Sequence, residues 1–176
     1  MKKQLLHVGC GNDTIDKLHF LPAKDEWEET RMDIDPRVNP DILLSIQDMN
    51  TLQGEFDMIY SSHNLEHLYL DEVAEALTQF YRLTGKGGVV VISVPDLTAA
   101  VEFAAKEGIH TIAYTVPDSM SVTPYMMLYG LPGEQFMQHK CGFTKGHLCV
   151  LVEMAGYKIA SVSQDSNFNL VVVGVK

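Results

Sequence analysis

Short apolar runs recur along the chain and alternate with longer segments that are either polar or periodic in the manner of a helix. Runs of this length, bounded by glycine, proline or aspartate, are typical of β-strands, and the intervening segments are long enough to hold crossover helices. The run at 89–94 is almost entirely β-branched, which indicates a central strand buried on both faces. The pattern predicts strands over residues 5–8, 30–34, 41–45, 56–61 and 89–94.

One face of the segment at 72–83 is apolar. Val73, Leu77 and Phe80 recur at helical spacing, which predicts a helix that packs this face on the sheet. Asp71, just before the segment, is the predicted N-cap. End signals predict two later helices, one between Thr98 and Gly108 and one between Thr144 and Gly156.

The last two apolar runs, at 157–163 and 170–175, are separated by a short polar stretch and predict a β-hairpin. Because a hairpin joins antiparallel strands, one of the two must run against the rest of the sheet, and the final strand is the predicted exception. The chain is therefore expected to form one α/β domain over residues 1–176. The expected architecture is a three-layer sandwich around a mainly parallel seven-stranded sheet with an antiparallel last strand.

Two glycines follow the first strand directly. Gly9 and Gly11 flank Cys10 at the end of the run, where glycine lets the backbone turn sharply and lets a ligand come close. A lone Gly-x-Gly also fits an ordinary tight turn. However, Asp33 ends the second strand about 20 residues further on, where nucleotide-binding folds place the acid that binds a ribose. The pair predicts a ligand crevice at the carboxyl ends of the first two strands.

The residues after Gly11 differ from a dinucleotide-binding loop. Such a loop carries a third glycine and leads into a helix whose N-terminus holds the pyrophosphate. Here the next residues include Asp13 and Asp16, whose carboxylates would repel a pyrophosphate, and the polar stretch 12–28 supports only a short helix near 15–21. A nicotinamide-dependent oxidoreductase is therefore disfavoured. An adenosyl sulfonium carries no phosphate and remains compatible.

Taken together, these features resemble the class I S-adenosylmethionine-dependent methyltransferases. The matching runs are LLHVGCGN at 5–12, DIDP at 33–36, FDMIYSSHNLEH at 56–67 and PD at 95–96. The resemblance implies a Rossmann-like sheet and S-adenosylmethionine as the cofactor. It places the cofactor-binding positions at His7, Gly9, Cys10, Gly11, Asp33, Ile34, Gln47, Asp48, Met49, Ser61 and Ser62.

The resemblance also implies roles for several of these positions. Gly9 and Gly11 would let the methionine part approach the backbone, Asp33 would accept hydrogen bonds from the ribose hydroxyls, and Asp48 would accept one from the adenine amine. His7 departs from the family, in which many members carry an acid that holds the cofactor ammonium. Since a histidine cannot supply that negative charge, a non-catalytic S-adenosylmethionine- or S-adenosylhomocysteine-binding module, or a partner subunit, stays open as the alternative.

Two histidines are candidates for proton transfer. His63 leaves the fourth strand, and His139 lies in the HKCGFT run, at the end of an insertion (97–144) that resembles the family's substrate-covering segment. A histidine suits a general base at neutral pH, and one is needed only if the acceptor must lose a proton. The alternative role for each histidine is to shape the cleft through hydrogen bonds.

The net charge and the cysteine content limit which partners, metals and cellular compartment are expected. The chain of 176 residues has a formal net charge of −10 and no basic patch, which argues against nucleic acid and anionic membranes and favours a small-molecule acceptor. The three cysteines, at 10, 141 and 149, have no metal-binding spacing, so no metal is expected, and they indicate reduced thiols in the cytoplasm. A homodimer is left open as another way to cover the cleft.

Overall fold

The computed structural model describes residues 1–116 and 120–176. The strands are β1 (Lys3–Val8), β2 (Trp27–Asp33), β3 (Ile42–Leu43), β4 (Phe56–Ser62), β5 (Thr84–Pro95), β6 (Tyr114–Thr115), β7 (Ser121–Val122), β8 (Lys158–Gln164) and β9 (Asn169–Val175). The α-helices are α1 (Leu70–Leu83), α2 (Leu97–Glu107), α3 (Pro124–Tyr129) and α4 (Lys145–Met154).

The main sheet has seven strands among the described residues, in the order β3-β2-β1-β4-β5-β9-β8. β1 pairs in parallel with both β2 and β4, and β4 pairs in parallel with β5. β9 is antiparallel to β5 on one side and to β8 on the other. The predicted α/β sheet with its antiparallel last strand is confirmed. Strand addition changes direction between β1 and β4, and such a switch point opens a crevice at the carboxyl ends of the strands.

The two faces of the sheet are covered differently. α1 and α4 pack on one face, where Phe80 and Leu148 are fully buried in the larger part of the core. The opposite face, around β1 and β5, is covered by Leu18 and Leu21 from the connection between β1 and β2. One outer layer of the sandwich is therefore helical at this point, whereas the other is built from irregular chain.

The short helix predicted near 15–21 is wrong. The connection holds only two 3-10 turns, at Ile15–Lys17 and Lys24–Glu26. Pro22 ends the stretch after Leu21, and the seven residues at 15–21 are too few for an α-helix that is stable without strong packing.

Two of the three predicted helix caps are wrong, each by two residues. α1 begins after Tyr69, whose backbone N–H donates to the Glu72 side chain at 2.7 Å, so Asp71 lies inside the first turn. α2 begins after Asp96, whose Oδ1 accepts the Thr98 backbone N–H at 2.9 Å. At α1 the Glu72 side chain reaches back to the N-cap, and at α2 an acid two residues earlier takes the cap, choices that the sequence alone does not rank. The Thr144 cap of α4 is confirmed, because its hydroxyl accepts the His147 backbone N–H.

The segment between β5 and β8 carries a small subdomain. β6 and β7 form an antiparallel pair, and α3 packs against α2. The segment returns to the chain after β4, where the backbone N–H groups of Lys140 and Cys141 donate to the Glu66 carbonyl. Residues 117–119 of the predicted covering segment (97–144) lie outside the described residues, and its covering role stays a prediction. None of the described helices combines the length and apolar composition needed to cross a membrane.

Candidate functional site

A cleft of about 920 Å³ opens at the switch point of the sheet. Its walls come from the carboxyl ends of β1, β2 and β4, from the chain after β3, and from residues 134–140. Among the predicted cofactor and catalytic positions, those that line it are His7, Gly9, Cys10, Gly11, Asp33, Ile34, Gln47, Ser62 and His63.

The two glycines of the loop after β1 serve different needs. Both have positive φ, 64° at Gly9 and 52° at Gly11, a conformation that glycine adopts without strain. A Cβ at Gly9 would lie 2.6 Å from the Asn64 side chain, so packing alone already requires glycine there. A Cβ at Gly11 would meet nothing within 4 Å. Gly9 therefore allows the loop to pack closely against the chain after β4, while the space beside Gly11 is free for a ligand.

Two side chains of β2 hold this loop in place. The Asp33 carboxylate accepts the Gly11 backbone N–H at 2.8 Å through one oxygen and the Asp35 backbone N–H at 2.9 Å through the other. Arg31 donates to the Gly11 carbonyl at 2.6 Å and to the Asp13 carbonyl at 3.0 Å. Arg31 was not predicted as a site residue, because nothing in the local sequence signals that a strand residue binds the carbonyls of a distant loop.

His7 is paired with an acid that the sequence analysis also missed. Its Nδ1 lies 2.8 Å from Oε1 of Glu29, whose other oxygen accepts the Ile15 backbone N–H at 2.8 Å. Burial lowers the pKa of His7 below its ordinary value despite the nearby Glu29 carboxylate. His7 is therefore neutral at pH 7 and donates through Nδ1. Although His7 replaces the acid expected by resemblance, Glu29 brings a carboxylate directly behind it.

The end of β4 forms the wall opposite the glycine loop. His63 has φ 50°, an uncommon conformation for a residue with a side chain, and its side chain is 46% exposed at the cleft. Its Nδ1 lies 3.4 Å from Oε1 of Glu66, which is buried. Burial lowers the pKa of His63, but the Glu66 carboxylate outweighs this effect, and the net pKa is raised above the ordinary value.

Four predicted site residues do not line the cleft. The 3-10 helix Ile46–Thr51 turns Met49 into the core, where it is fully buried, and leaves Asp48 exposed on the outside. Ser61 is buried beneath the strand end. His139 lines an adjoining cavity of about 220 Å³ and bonds through Nδ1 to the Met127 carbonyl. The roles of these four residues stay predictions.

One family model matches most of the chain. Residues 2–162 match a family model described as a methyltransferase domain. No curated protein sequence matches the chain.

Solved structures with similar folds carry related descriptions. An S-adenosylmethionine-dependent methyltransferase from Listeria monocytogenes matches with 16% identity and a TM-score of 0.64, over 99% of this chain and 91% of that one. One from Clostridium acetobutylicum matches with 8% identity and a TM-score of 0.69, over 99% and 84% of the two chains. The 1,6-didemethyltoxoflavin-N1-methyltransferase of Burkholderia thailandensis, solved with 1,6-didemethyltoxoflavin and S-adenosylhomocysteine, matches with 16% identity and a TM-score of 0.61, over 99% and 71%. At these identities the likeness shows the fold.

Proposed function

The chain belongs to the methyltransferase-domain family, and from that premise we propose that it is a class I S-adenosylmethionine-dependent methyltransferase that methylates a small-molecule acceptor in the cleft described above. The observation that carries the proposal is the hydrogen bond from the Gly11 backbone N–H to the Asp33 carboxylate, 2.8 Å long. It links the glycine loop after β1 to the acid of β2, and both line the same cleft at the switch point. This is where an open α/β sheet binds its ligand.

The loop suits an adenosyl sulfonium better than a dinucleotide. Between Gly11 and β2 the described residues form no α-helix, so the loop offers no helix N-terminus for a pyrophosphate. Asp13 and Asp33 line the cleft beside the loop and favour a positively charged ligand. Both observations disfavour the nicotinamide-dependent oxidoreductase.

The residues present fit the cofactor of this family. Gly9, Cys10 and Gly11 would approach its methionine part, with the neutral His7 below them. Asp33 has lone pairs left on both oxygens, since each accepts one backbone N–H, and would bind the ribose beside Ile34. The chain after β3 would flank the adenine, where Leu44, Ile46 and Gln47 line the cleft. Met49 would support this wall from behind, and the bond from Asp48 to the adenine amine and the role of Ser61 stay predictions.

When bound, the cofactor supplies a methyl group on a sulfonium sulfur. Because that sulfur departs readily as a neutral thioether, positioning provides much of the rate acceleration. The protein's further task is to take a proton from an acceptor that must lose one. His63 is the stronger candidate for this base because its side chain is exposed at the cleft, opposite the glycine loop. His139 lies in the adjoining cavity, which weakens its case as a base.

The acceptor is proposed to bind against residues 134–138. Phe136 and Met137 line the cleft and are 41% and 42% exposed, so they offer an apolar surface that adapts to a small ligand. The Burkholderia structure, solved with 1,6-didemethyltoxoflavin, supports a small-molecule acceptor. The rest of the segment 97–144, or a second copy of the chain, would complete the cover that excludes water. Cytoplasmic localisation remains part of the proposal.

Calorimetry with S-adenosylhomocysteine and with NAD tests the ligand class directly. We expect S-adenosylhomocysteine to bind with one site per chain and NAD to show no heat of binding; the reverse result would overturn the proposal. Incubating the protein with S-adenosylmethionine labelled in its methyl group and a metabolite extract then tests turnover. Label transferred to a small molecule supports the enzyme, whereas cofactor binding without any transfer favours the non-catalytic binding module.

A further inference from the structure

Glu66 places a carboxylate in the interior without the donors that such a group requires. The residue is 1% exposed, and neither Oε1 nor Oε2 has a hydrogen-bond partner among the described residues. His63 comes nearest, with Nδ1 3.4 Å from Oε1, but it does not form a hydrogen bond. A buried carboxylate is strongly disfavoured unless it is paired or binds a cation. Protonated His63 is one cationic neighbour, but at 3.4 Å it leaves both oxygens without a hydrogen bond and free to bind a cation more closely.

Two histidines near Glu66 each have one ring nitrogen bonded to a backbone carbonyl. The Nδ1 of His67 lies 3.1 Å from the Gln138 carbonyl, and the Nδ1 of His139 lies 2.9 Å from the Met127 carbonyl. Because a carbonyl oxygen only accepts, each Nδ1 must carry the proton, and in the neutral ring Nε2 is then the acceptor. The Nε2 of His139 lies 4.0 Å from Oε1 of Glu66. This is the arrangement of metal-binding histidines, whose other ring nitrogen is typically fixed by a carbonyl or carboxylate.

We propose that Glu66, His67 and His139 bind a divalent transition-metal ion, with Zn²⁺ as the reference species. One ligand atom from each residue lies within 4.8 Å of the other two. Around tetrahedral Zn²⁺ with bonds of about 2.0–2.1 Å, ligand atoms are about 3.3 Å apart, so side-chain movements of about 1 Å suffice. Two histidines and a carboxylate are an established ligand set for such ions and leave a coordination position free.

The site has a definite place in the fold. His67 lines the main cleft, while Glu66 and His139 line the adjoining cavity, so the ion lies between the two. It would join the chain after β4 to the part of the covering segment that already bonds to the Glu66 carbonyl through Lys140 and Cys141. The ion would hold the covering segment against the 3-10 turn that follows β4. This proposal does not depend on the reaction proposed above.

Metal titration of the full-length protein tests it. The chain is first stripped with a chelator and then titrated with Zn²⁺ in competition with a chromophoric chelator, and separately with Co²⁺ while its visible absorption is recorded. We expect one ion per chain and a Co²⁺ spectrum typical of four coordination. His67→Ala and His139→Ala should each weaken binding at least tenfold, whereas His19→Ala, at an exposed histidine, should leave it unchanged.

Glu66→Gln supplies a variant of almost the same shape that removes only the charge. We expect it to abolish the rise in Tm that Zn²⁺ gives the native chain, because an amide in place of the carboxylate no longer supplies a charged ligand. Failure of the native chain to bind Zn²⁺ would overturn the proposal, as would equal binding by the three ligand variants, which would indicate adventitious surface binding. Binding of S-adenosylhomocysteine, measured on the same samples, reports separately on the proposed reaction.

Discussion

The two sides of the cleft are built in contrasting ways. On the glycine-loop side (residues 7–13 and 29–33), charged side chains of β2 are hydrogen-bonded to the loop, as Arg31 is to the carbonyls of Gly11 and Asp13. On the covering side (residues 134–140), the turn bonds mainly to its own subdomain, as in Leu131 N–H to the Met137 carbonyl and His139 N–H to that of Tyr129. The first side is fixed to the sheet, and the second presents exposed apolar residues.

This difference suggests how the two ligands are recognised. A loop held by several charge-assisted hydrogen bonds is preorganised, so little ordering is needed when a ligand of constant chemistry binds. Exposed Phe and Met side chains adapt to different partners with less directional demand. We expect substitutions on the glycine-loop side to affect cofactor binding and stability. Substitutions at His63 and on the covering side should instead affect acceptor binding and turnover.

The largest expected effect is at His63, across from the glycine loop. His63→Asn keeps a residue that tolerates the positive φ at this position but removes the proposed base. If the acceptor must lose a proton, kcat should fall by roughly 10²–10⁴-fold while S-adenosylhomocysteine affinity stays nearly constant. The measurement is steady-state kinetics with the identified acceptor, with His19→Asn as the control. A fall of only a few-fold would reduce His63 to a positioning residue.

The two glycines should differ in their effect on stability. Gly9→Ala combines a positive φ with a Cβ 2.6 Å from Asn64, and we expect it to lower the free energy of unfolding by about 2–3 kcal/mol. Gly11→Ala has the same backbone strain but no clash, and about 1 kcal/mol is expected. Urea denaturation of the two variants gives the comparison. Equal losses would show that Gly9 does not pack against Asn64 as described.

Among these substitutions, Asp33→Ala should weaken cofactor binding most specifically. The change removes the acceptor of the Gly11 N–H and the proposed ribose contact, interactions of about 1.5–3 kcal/mol. S-Adenosylhomocysteine affinity should fall by roughly ten- to a hundredfold in calorimetry. Asp35→Ala is the matched control, since the Asp35 side chain bonds to Arg37 and does not line the cleft. Unchanged affinity in Asp33→Ala would remove this residue from the site.

A smaller effect is expected on the covering side. Phe136 has φ 69°, and Phe136→Asn removes its apolar ring while keeping a residue suited to that backbone. The KM for the acceptor should rise several-fold, with cofactor affinity unchanged and stability altered by about 0.5 kcal/mol or less. A parallel loss of S-adenosylhomocysteine affinity would contradict the division of the cleft into two sides.

The smallest expected effect concerns pH. Because burial lowers the pKa of His7 in the folded chain, the unfolded chain binds more protons below pH of about 6.5, and stability falls as the pH is lowered through that range. In His7→Gln this part of the fall should disappear, whereas His19→Gln should keep it. Urea denaturation between pH 7.5 and 5.5 provides the slopes. Identical slopes in His7→Gln and the native chain would show that His7 is not buried in its neutral form.

The glycine-loop side could be predicted from sequence largely because its signals are local. Gly9 and Gly11 follow their strand directly, and Asp33 ends the next one, so strand order alone brings them together. The hairpin between β8 and β9 likewise fixed the direction of the last strand. Contacts such as His7 with Glu29, or Glu66 with His139, join residues whose proximity depends on sheet register and on the path of the long insertion. The 3-10 helix that buries Met49 has no periodic signal either.

The position of β9 has a consequence for the order of assembly. β9 follows β8 in sequence but lies between β5 and β8, and among the described residues β8 pairs with β9 alone in the sheet. β8 therefore has no place in the sheet until β9 has inserted beside β5. During synthesis, the part from β1 to β5 becomes complete first and keeps an open edge of β-branched residues at 89–94, an edge that invites wrong pairing until β9 covers it.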